Sequence, residues 1–284
     1  MDVLVTGAAG SIGRAVCVGL AAQRHRVRGL DLVDAPPEAA GQVAGWHTGD
    51  CLDPAVVDPA VAGVDAVVHL AGNPSEADLA SSLVSHVHTT GRLLEAMLAH
   101  DVTRIVYASS NHAVGMTRRG ELADGGRPGL LGDDVPPRPD TFYGVAKVAA
   151  EALLQRYADR HGFATYALRI GSFTDRPRSR RQLATWLSAG DVVRMVTACL
   201  TAPVEPSRAT GTHHVLYGIS HNDRAWWHLA PGRAVGYAPV DDAEDHAGDV
   251  PDRPEDADEV GLVGGPYALP AHDRPAFDAH EAGG

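Results

Sequence analysis

The feature that most restricts how this chain can fold is a series of short runs, apolar on both faces, separated by longer helical patterns. Val3 to Val5 precede a helical stretch from Ser11 to Gln23; Val27 to Leu32 follow, then Asp65 to Leu70 and a helical stretch from Leu79 to His100. Arg104 to Ala108, a helix from Phe142 to Arg160 and Ala164 to Ile170 continue the series. A strand buried on both faces needs helices above and below it, and strands joined through helices run parallel. The pattern predicts an α/β fold, a doubly wound parallel sheet of the Rossmann type. Two stretches break the rhythm. Residues 116 to 140, rich in Gly, Pro, Arg and Asp, are expected to form a surface loop of lid-like length before the helix that begins near Phe142. After residue 171 come an arginine-rich segment, a helix near Asp191 to Thr201, a strand near His213 to Tyr217 and a Pro/Asp-rich end, together a small C-terminal region.

With 284 residues, 44% of them hydrophobic and 21% charged, the chain can bury the core of one large α/β domain. No apolar run approaches the roughly 18 residues of a membrane span, and the amino terminus enters a strand pattern at once, so no membrane partner and a cytoplasmic location are expected. Cys17, Cys51 and Cys199 are too scattered for a disulfide framework or a zinc site and read as buried thiols in a reducing compartment. The formal charge is −12, and residues 241–284 hold 13 acids against 2 arginines, so the rest is nearly neutral. Nothing in that balance favours a nucleic-acid partner. The acidic end reads as a solvated segment, with an acidic interaction arm as the alternative.

Thr6-Gly7-Ala8-Ala9-Gly10-Ser11-Ile12-Gly13 follows the first predicted strand and opens the first predicted helix. In that setting Gly7 permits a tight turn, Gly10 and the adjoining Ser11 and Ile12 let backbone NH groups approach a pyrophosphate, and Gly13 lets helix and sheet pack closely. Asp31 ends the next strand, where a carboxylate accepts hydrogen bonds from an adenosine ribose and repels a 2′-phosphate; the cofactor expected is NAD rather than NADP. Asp50, beside Cys51, either reaches the adenine amino group or caps a turn. Leu70-Ala71-Gly72 offer small residues where the backbone passes a cofactor, or simply end a strand.

Tyr143 and Lys147 stand four residues apart, one turn apart on one helix face. A phenol of pKa near 10 is a poor base at neutral pH, but an ammonium and the positive nicotinamide ring of NAD⁺ both favour the phenolate. Tyr143 then serves as a general base. Ser109 and Ser110 end the strand beginning at Arg104, at the sheet edge where open α/β folds place ligands. The 15 histidines do not make a metal site: His86 with His88 and His213 with His214 point to different faces, and no His-Glu-x-x-His or Cys-x-x-Cys spacing occurs. His112 follows Ser110 and Asn111 at the mouth of the expected site, where it is either a ligand contact or a loop histidine.

On the turn Thr6 to Gly13, Asp31, His69-Leu-Ala-Gly72, Ala108-Ser-Ser110 and Tyr143 to Lys147, the chain resembles the extended short-chain dehydrogenase/reductases over about residues 1 to 240. Ala108-Ser-Ser-Asn-His112, Arg169-Ile-Gly-Ser172, Arg181-Gln-Leu-Ala-Thr-Trp186 and Tyr217-Gly-Ile-Ser220 with Trp226-Trp227 resemble, more narrowly, the uronate dehydrogenases. That resemblance implies oxidation of the anomeric carbon of a hexuronic acid, glucuronate or galacturonate, to an aldarolactone with NAD⁺. It implies catalytic roles for Ser110, Tyr143 and Lys147, the last two and Ile170 also touching cofactor. Ser75, Ser110, Asn111, His112 and Ser172 would hold sugar hydroxyls and Arg181 the carboxylate, which a guanidinium binds bidentately. A homo-oligomer is implied as well. The chain departs from the family at His86, where an asparagine is usual, at Asn73-Pro74-Ser75, in the long loop 116 to 140, and beyond residue 240 apart from Gly264-Gly265-Pro266-Tyr267.

The expected organisation is an NAD-binding and catalytic domain over 1–240, with substrate-binding elements after residue 171, and an acidic Pro-rich segment over 241–284. Two rivals share the fold: a nucleotide-sugar epimerase or dehydratase, and a non-enzymatic dinucleotide sensor. The short region after residue 171 leaves little room for a nucleotide-binding lobe, and a sensor needs no Ser-Tyr-Lys relay.

Overall fold

The computed structural model describes residues 1–119, 130–132, 134–203, 211–253 and 261–277. In chain order the strands are β1 (Asp2–Thr6), β2 (Arg26–Asp31), β3 (Gly45–Thr48), β4 (Ala66–His69), β5 (Arg104–Ser110), β6 (Ala164–Ile170), β7 (Ser172–Phe173), β8 (Trp186–Leu187) and β9 (Thr212–Gly218). The helices are α1 (Ser11–Ala22), α2 (Pro54–Val61), α3 (Leu79–Leu83), α4 (Thr89–Ala99), α5 (Phe142–His161), α6 (Gln182–Thr185), α7 (Ala189–Thr201) and α8 (Ala230–Ala234). Seven strands form one sheet in the order β3-β2-β1-β4-β5-β6-β9, every neighbouring pair parallel. The chain winds outward from β1 to β3 and then returns to β4 on the other side of β1. That reversal opens a crevice at the carboxyl ends of β1 and β4, the place where doubly wound sheets bind ligands.

Alternation along the strands builds two cores. Val3 and Val5 of β1 face one side, where they pack with Val16, Cys17 and Leu20 of α1 and with Val192, Met195 and Val196 of α7. Leu4, between them, faces the other, with Val57 of α2, Leu93 and Met97 of α4 and Leu154 of α5. A third, smaller cluster gathers Val114, Leu131, Ala184, Tyr217, Ile219, Trp226, Trp227 and Val263 beyond the carboxyl edge of the sheet. The segment after residue 240 joins this body, because Val263 belongs to the third cluster and Ala243 packs with Leu183 and Trp186 in a fourth.

Two local expectations need correction. The helix expected from Leu79 to His100 is interrupted by a π turn over Val84–His88. There the Thr89 and Thr90 hydroxyls donate to the carbonyls of Ser85 and His86, at 2.7 and 2.5 Å, and the ladder widens by a residue. The loop from 116 to 140 is not purely surface. Leu131 is fully buried, its NH donates to the Trp226 carbonyl at 2.8 Å, and its own carbonyl accepts the His228 NH at 2.8 Å. Of the adjacent Leu130 and Leu131, the one that meets the tryptophan pair is buried and the other stays exposed, as the gain from removing apolar surface from water requires. Residues 120–129 and 133 of that loop lie outside the described residues.

Candidate active site

A cavity of about 900 Å³ occupies the crevice, lined along one wall by Gly7 and Ala9 to Gly13, and along the other by Leu70, Ala71, Gly72 and Ala108. Gly7 has φ +66°, and a Cβ there would lie 2.7 Å from the Ala71 nitrogen; a Cβ on Gly13 would overlap the Gly7 carbonyl oxygen. Both positions therefore demand glycine for the turn to close on α1, and its first NH groups face the cavity. At the far end Asp31 is fixed by the backbone: Oδ2 accepts the Ala9 NH at 2.9 Å and Oδ1 the Val33 NH at 3.4 Å. Unused lone pairs on that carboxylate remain for a ribose. A carboxylate and a glycine-lined turn at a helix start, both lining one cavity, fit an adenine dinucleotide.

Asp50 both lines the cavity and caps its own turn, accepting the Leu52 NH at 2.9 Å, while Cys51 lines the wall with its thiol pushed up to about 12 by burial. Ile170, by contrast, lies in the core and does not line the cavity. Not anticipated were Leu32 and Val33, 69% and 55% exposed, and Leu52, which line the Asp31 end. Two exposed apolar residues directly after a strand-ending aspartate were the available signal.

Ser110 at the end of β5 and Tyr143 and Lys147 in the first turns of α5 meet beside Ala108. Lys147 Nζ is buried, donates to the Ala108 carbonyl at 2.7 Å, and lies 5.2 Å from the Tyr143 ring centroid. Burial pushes the Tyr143 phenol up to about 12, against the pull of the facing Ser110 hydroxyl. Burial likewise pushes the Lys147 ammonium down to about 7, opposed by the Glu151 carboxylate one turn further along α5. Glu151 is itself tied to Arg169 by bonds of 3.0 and 2.8 Å and accepts the Ser109 hydroxyl at 2.5 Å. Arg169 and Ser109 thus fix the position of this buried carboxylate one turn beyond the lysine.

His86 stacks edge-on against Tyr143 at 5.0 Å and donates Nε2–H to the Asn73 carbonyl at 3.0 Å. Burial, with Lys147 adding to it, pushes this imidazole down to about 3, so it is a neutral wall of the site. Glu76, which no sequence pattern marked, accepts the backbone NH groups of Phe142 and Tyr143. Ser75, beside it, is exposed and donates its NH to Asn73 Oδ1 at 3.0 Å.

Asn111 and His112 follow Ser110 on a single 3₁₀ turn. Ser110 Oγ accepts the His112 NH at 3.2 Å and donates to Asn111 Oδ1 at 3.3 Å. His112 in turn meets Asp140 through Nδ1, at 2.9 Å, and the ring of Tyr267 at 5.3 Å. Ser172 exchanges a hydrogen bond with Thr185 at 2.9 Å, at the start of the two-stranded β7-β8 ribbon. Arg181 lies against the Trp226 ring, 5.7 Å from its centroid, and donates Nη2–H to the Val263 carbonyl at 2.6 Å. Val263 and Tyr267 therefore connect Arg181 to the His112 cluster through the C-terminal segment. Ser110, Asn111, His112, Tyr143 and Lys147 form one cluster, with Ser172 and Arg181 on the adjoining elements.

Comparison with known proteins agrees with this architecture. The model of the NAD dependent epimerase/dehydratase family matches residues 3–176. A uronate dehydrogenase of Pseudomonas putida is 35% identical over 277 residues, 94% of this chain and 95% of that protein. An L-arabinose 1-dehydrogenase (NAD(P)(+)) of Haloferax volcanii is also 35% identical, over 85% of this chain and 97% of that protein. The crystal structure of uronate dehydrogenase from Agrobacterium tumefaciens superposes with a TM-score of 0.82 at 36% identity, covering 97% of this chain and 98% of that one; a mutant of it is solved complexed with NAD. With the glycine turn, the seven-stranded parallel sheet and the Ser-Tyr-Lys cluster in place, the chain belongs to the NAD dependent epimerase/dehydratase family, the extended short-chain dehydrogenase/reductases.

Proposed function

We propose that this protein is an NAD-dependent uronate dehydrogenase, oxidising the anomeric carbon of glucuronate or galacturonate to the aldarolactone. The observation that carries the reading is the Ser110, Tyr143 and Lys147 cluster, bonded through Lys147 to Ala108, which lines the cavity that also holds the glycine turn and Asp31, with Arg181 linked to the cluster through Val263 and Tyr267. Bound NAD supplies the hydride acceptor and a positive ring that favours the phenolate. Tyr143 takes the anomeric hydroxyl proton, Ser110 holds the same oxygen, and Lys147 lends its charge to the phenolate. Asn111, His112, Ser172 and Ser75 are assigned to the sugar hydroxyls, and Arg181 to the carboxylate that distinguishes a uronate from a neutral sugar. Asp31 supports NAD over NADP.

The deciding experiment is absorbance of NADH formed from NAD⁺ with glucuronate, galacturonate, neutral aldoses and nucleotide sugars. Uronates should be oxidised with NADH accumulating. Oxidation of neutral aldoses alone would move the substrate toward that named for the Haloferax relative; turnover of a nucleotide sugar without net NADH would favour an epimerase. Cytoplasmic residence is part of the same reading, supported by three buried, unpaired cysteines. Among the described residues no helix is long and apolar enough to cross a membrane. Family resemblance supports a homo-oligomer, and sedimentation of the pure protein tests it.

A further inference from the structure

His112 lies between two tyrosines, its ring edge-on to Tyr143 at 5.9 Å and to Tyr267 at 5.3 Å. Both Asp140 carboxylate oxygens lie within 3.0 Å of its Nδ1, and the Asp140 side chain is 0% exposed. An ionised carboxylate only accepts, so Nδ1 must carry the proton, and in a neutral imidazole the lone pair then sits on Nε2. Asp140 stands one residue ahead of Thr141, the cap of α5, near the helix start where an anion would ordinarily serve the helix NH groups. Those groups are already taken. The Phe142 and Tyr143 NH groups go to Glu76 and the Gly144 NH goes to the Thr141 hydroxyl.

The enclosure of this carboxylate is equally specific. A Cβ on Gly264 or on Gly115 would overlap Asp140 Oδ2, and the Gly264 NH donates to the Gly115 carbonyl at 2.8 Å, closing the box. One of its walls is therefore the C-terminal segment that also carries Tyr267.

We propose that Asp140 is a positioning residue that fixes the tautomer and orientation of His112, presenting Nε2 of that imidazole as the acceptor for a sugar hydroxyl beside Tyr143. The substrate half of this proposal rests on the uronate reading; the tautomer half does not. Without Asp140 the ring is free to place its proton on Nε2, where it offers a donor to a hydroxyl that must then turn around.

Two measurements test it. Nitrogen-15 NMR of the substrate-free protein at neutral pH, with the His112 signals identified by their loss in His112→Gln, should show the Nδ1–H tautomer, and Asp140→Asn should lose or mix it. An Nε2–H tautomer in the unaltered protein overturns the proposal. The second is a double-mutant cycle on uronate oxidation. Asp140→Asn should lower kcat/KM by about 10- to 100-fold, the scale of a charge-assisted hydrogen bond, with NAD⁺ affinity little changed. In a His112→Ala background the same substitution should cost less than about twofold. An equal penalty in both backgrounds means that Asp140 acts through α5 or the C-terminal segment, which also overturns the proposal. Should Asp140→Asn fail to fold, the tautomer of the unaltered protein decides. Absence of uronate oxidation by the unaltered protein would defeat the uronate reading while leaving the tautomer result to judge Asp140.

Discussion

Glu76 and Tyr143 are 67 positions apart, and one Glu76 carboxylate oxygen accepts the Tyr143 backbone NH at 3.1 Å. Its other oxygen takes the Phe142 NH at 2.9 Å, and its carbonyl accepts from Arg274 Nη1 at 3.1 Å. The first NH groups of a helix have no partner within it, and a carboxylate there also meets the positive end of the helix dipole. Glu76 thereby holds the turn that carries Tyr143.

Replacing Glu76 with alanine should destabilise the protein by roughly 1 to 2 kcal/mol, the range for a lost helix cap, and lower kcat more than it raises KM. Glu76→Gln, which keeps an acceptor, should recover part of both. Urea denaturation together with steady-state rates checks this; unchanged stability in the alanine variant would mean that water replaces the carboxylate at no cost.

Tyr143→Phe removes the proposed general base and little else. Turnover should fall at least about a hundredfold, since a positioned base contributes 10²- to 10⁴-fold, while NAD⁺ still binds. Fluorescence titration with NAD⁺ and initial rates on the same preparation separate the two effects, and near-normal turnover would remove the phenol from the mechanism.

Lys147 makes stability depend on pH in a definite direction. Burial lowers its pKa to about 7 in the folded chain, against about 10.4 when unfolded. Between those values the unfolded state binds the additional proton, so the lysine's contribution to the unfolding free energy rises with pH above about 7 and is flat below it. Cys17 and Cys51, pushed up to about 12 by burial, act with the opposite sign once unfolded thiols ionise above about 8.5. The clean window is therefore about pH 7 to 8.5 without cofactor. Denaturant midpoints should rise across it for the unaltered protein and stay level for Lys147→Met. Parallel curves would show that the lysine keeps its proton.

What was legible in the sequence, and what was not, follows from the range of each interaction. The glycine turn, Asp31, and the pairing of Tyr143 with Lys147 are local spacings on one element or at its end, and each leaves a pattern within a dozen residues. The parallel sheet was legible for the same reason, because burial on both faces is written along each strand. Glu76 on Tyr143, Asp140 boxed by Gly264, and Arg181 on Val263 each join residues far apart in sequence or on separate elements, and no periodicity encodes them. The π turn at His86 escaped because two threonine hydroxyls bonding back to carbonyls look, in sequence, like ordinary helix.

Asp31 should set the cofactor preference. Its carboxylate is pinned by the Ala9 and Val33 NH groups, so it cannot swing away from a 2′-phosphate. Efficiency with NAD⁺ should exceed that with NADP⁺, and Asp31→Ser should narrow the ratio chiefly by improving NADP⁺. A ratio that does not move would place the discrimination elsewhere along the cavity wall.

Arg181, as the proposed partner of the substrate carboxylate, should decide the substrate. A charge-assisted contact to a desolvated carboxylate costs roughly 2 to 5 kcal/mol when one partner is truncated, so Arg181→Ala should lower efficiency toward uronates by about 30- to several thousand-fold. The same side chain also donates to the Val263 carbonyl and rests on Trp226, so the substitution can loosen the C-terminal segment and with it Tyr267 on His112. These two effects part company on substrates. Loss of carboxylate binding spares a neutral hexose, which has nothing for the guanidinium to hold, whereas loosening the segment penalises hexose and uronate alike. Arg181→Lys sharpens the distinction, because it keeps a positive charge and gives up the planar fork. It should restore uronate activity in part, through a higher KM rather than a lower kcat. Rates for glucuronate, galacturonate and the matching hexoses, taken for both variants, are the measurement. Equal losses on both sugar classes in Arg181→Ala, with no recovery in Arg181→Lys, would make this arginine an anchor for the C-terminal segment and send the search for the carboxylate partner to Arg178 and Arg180.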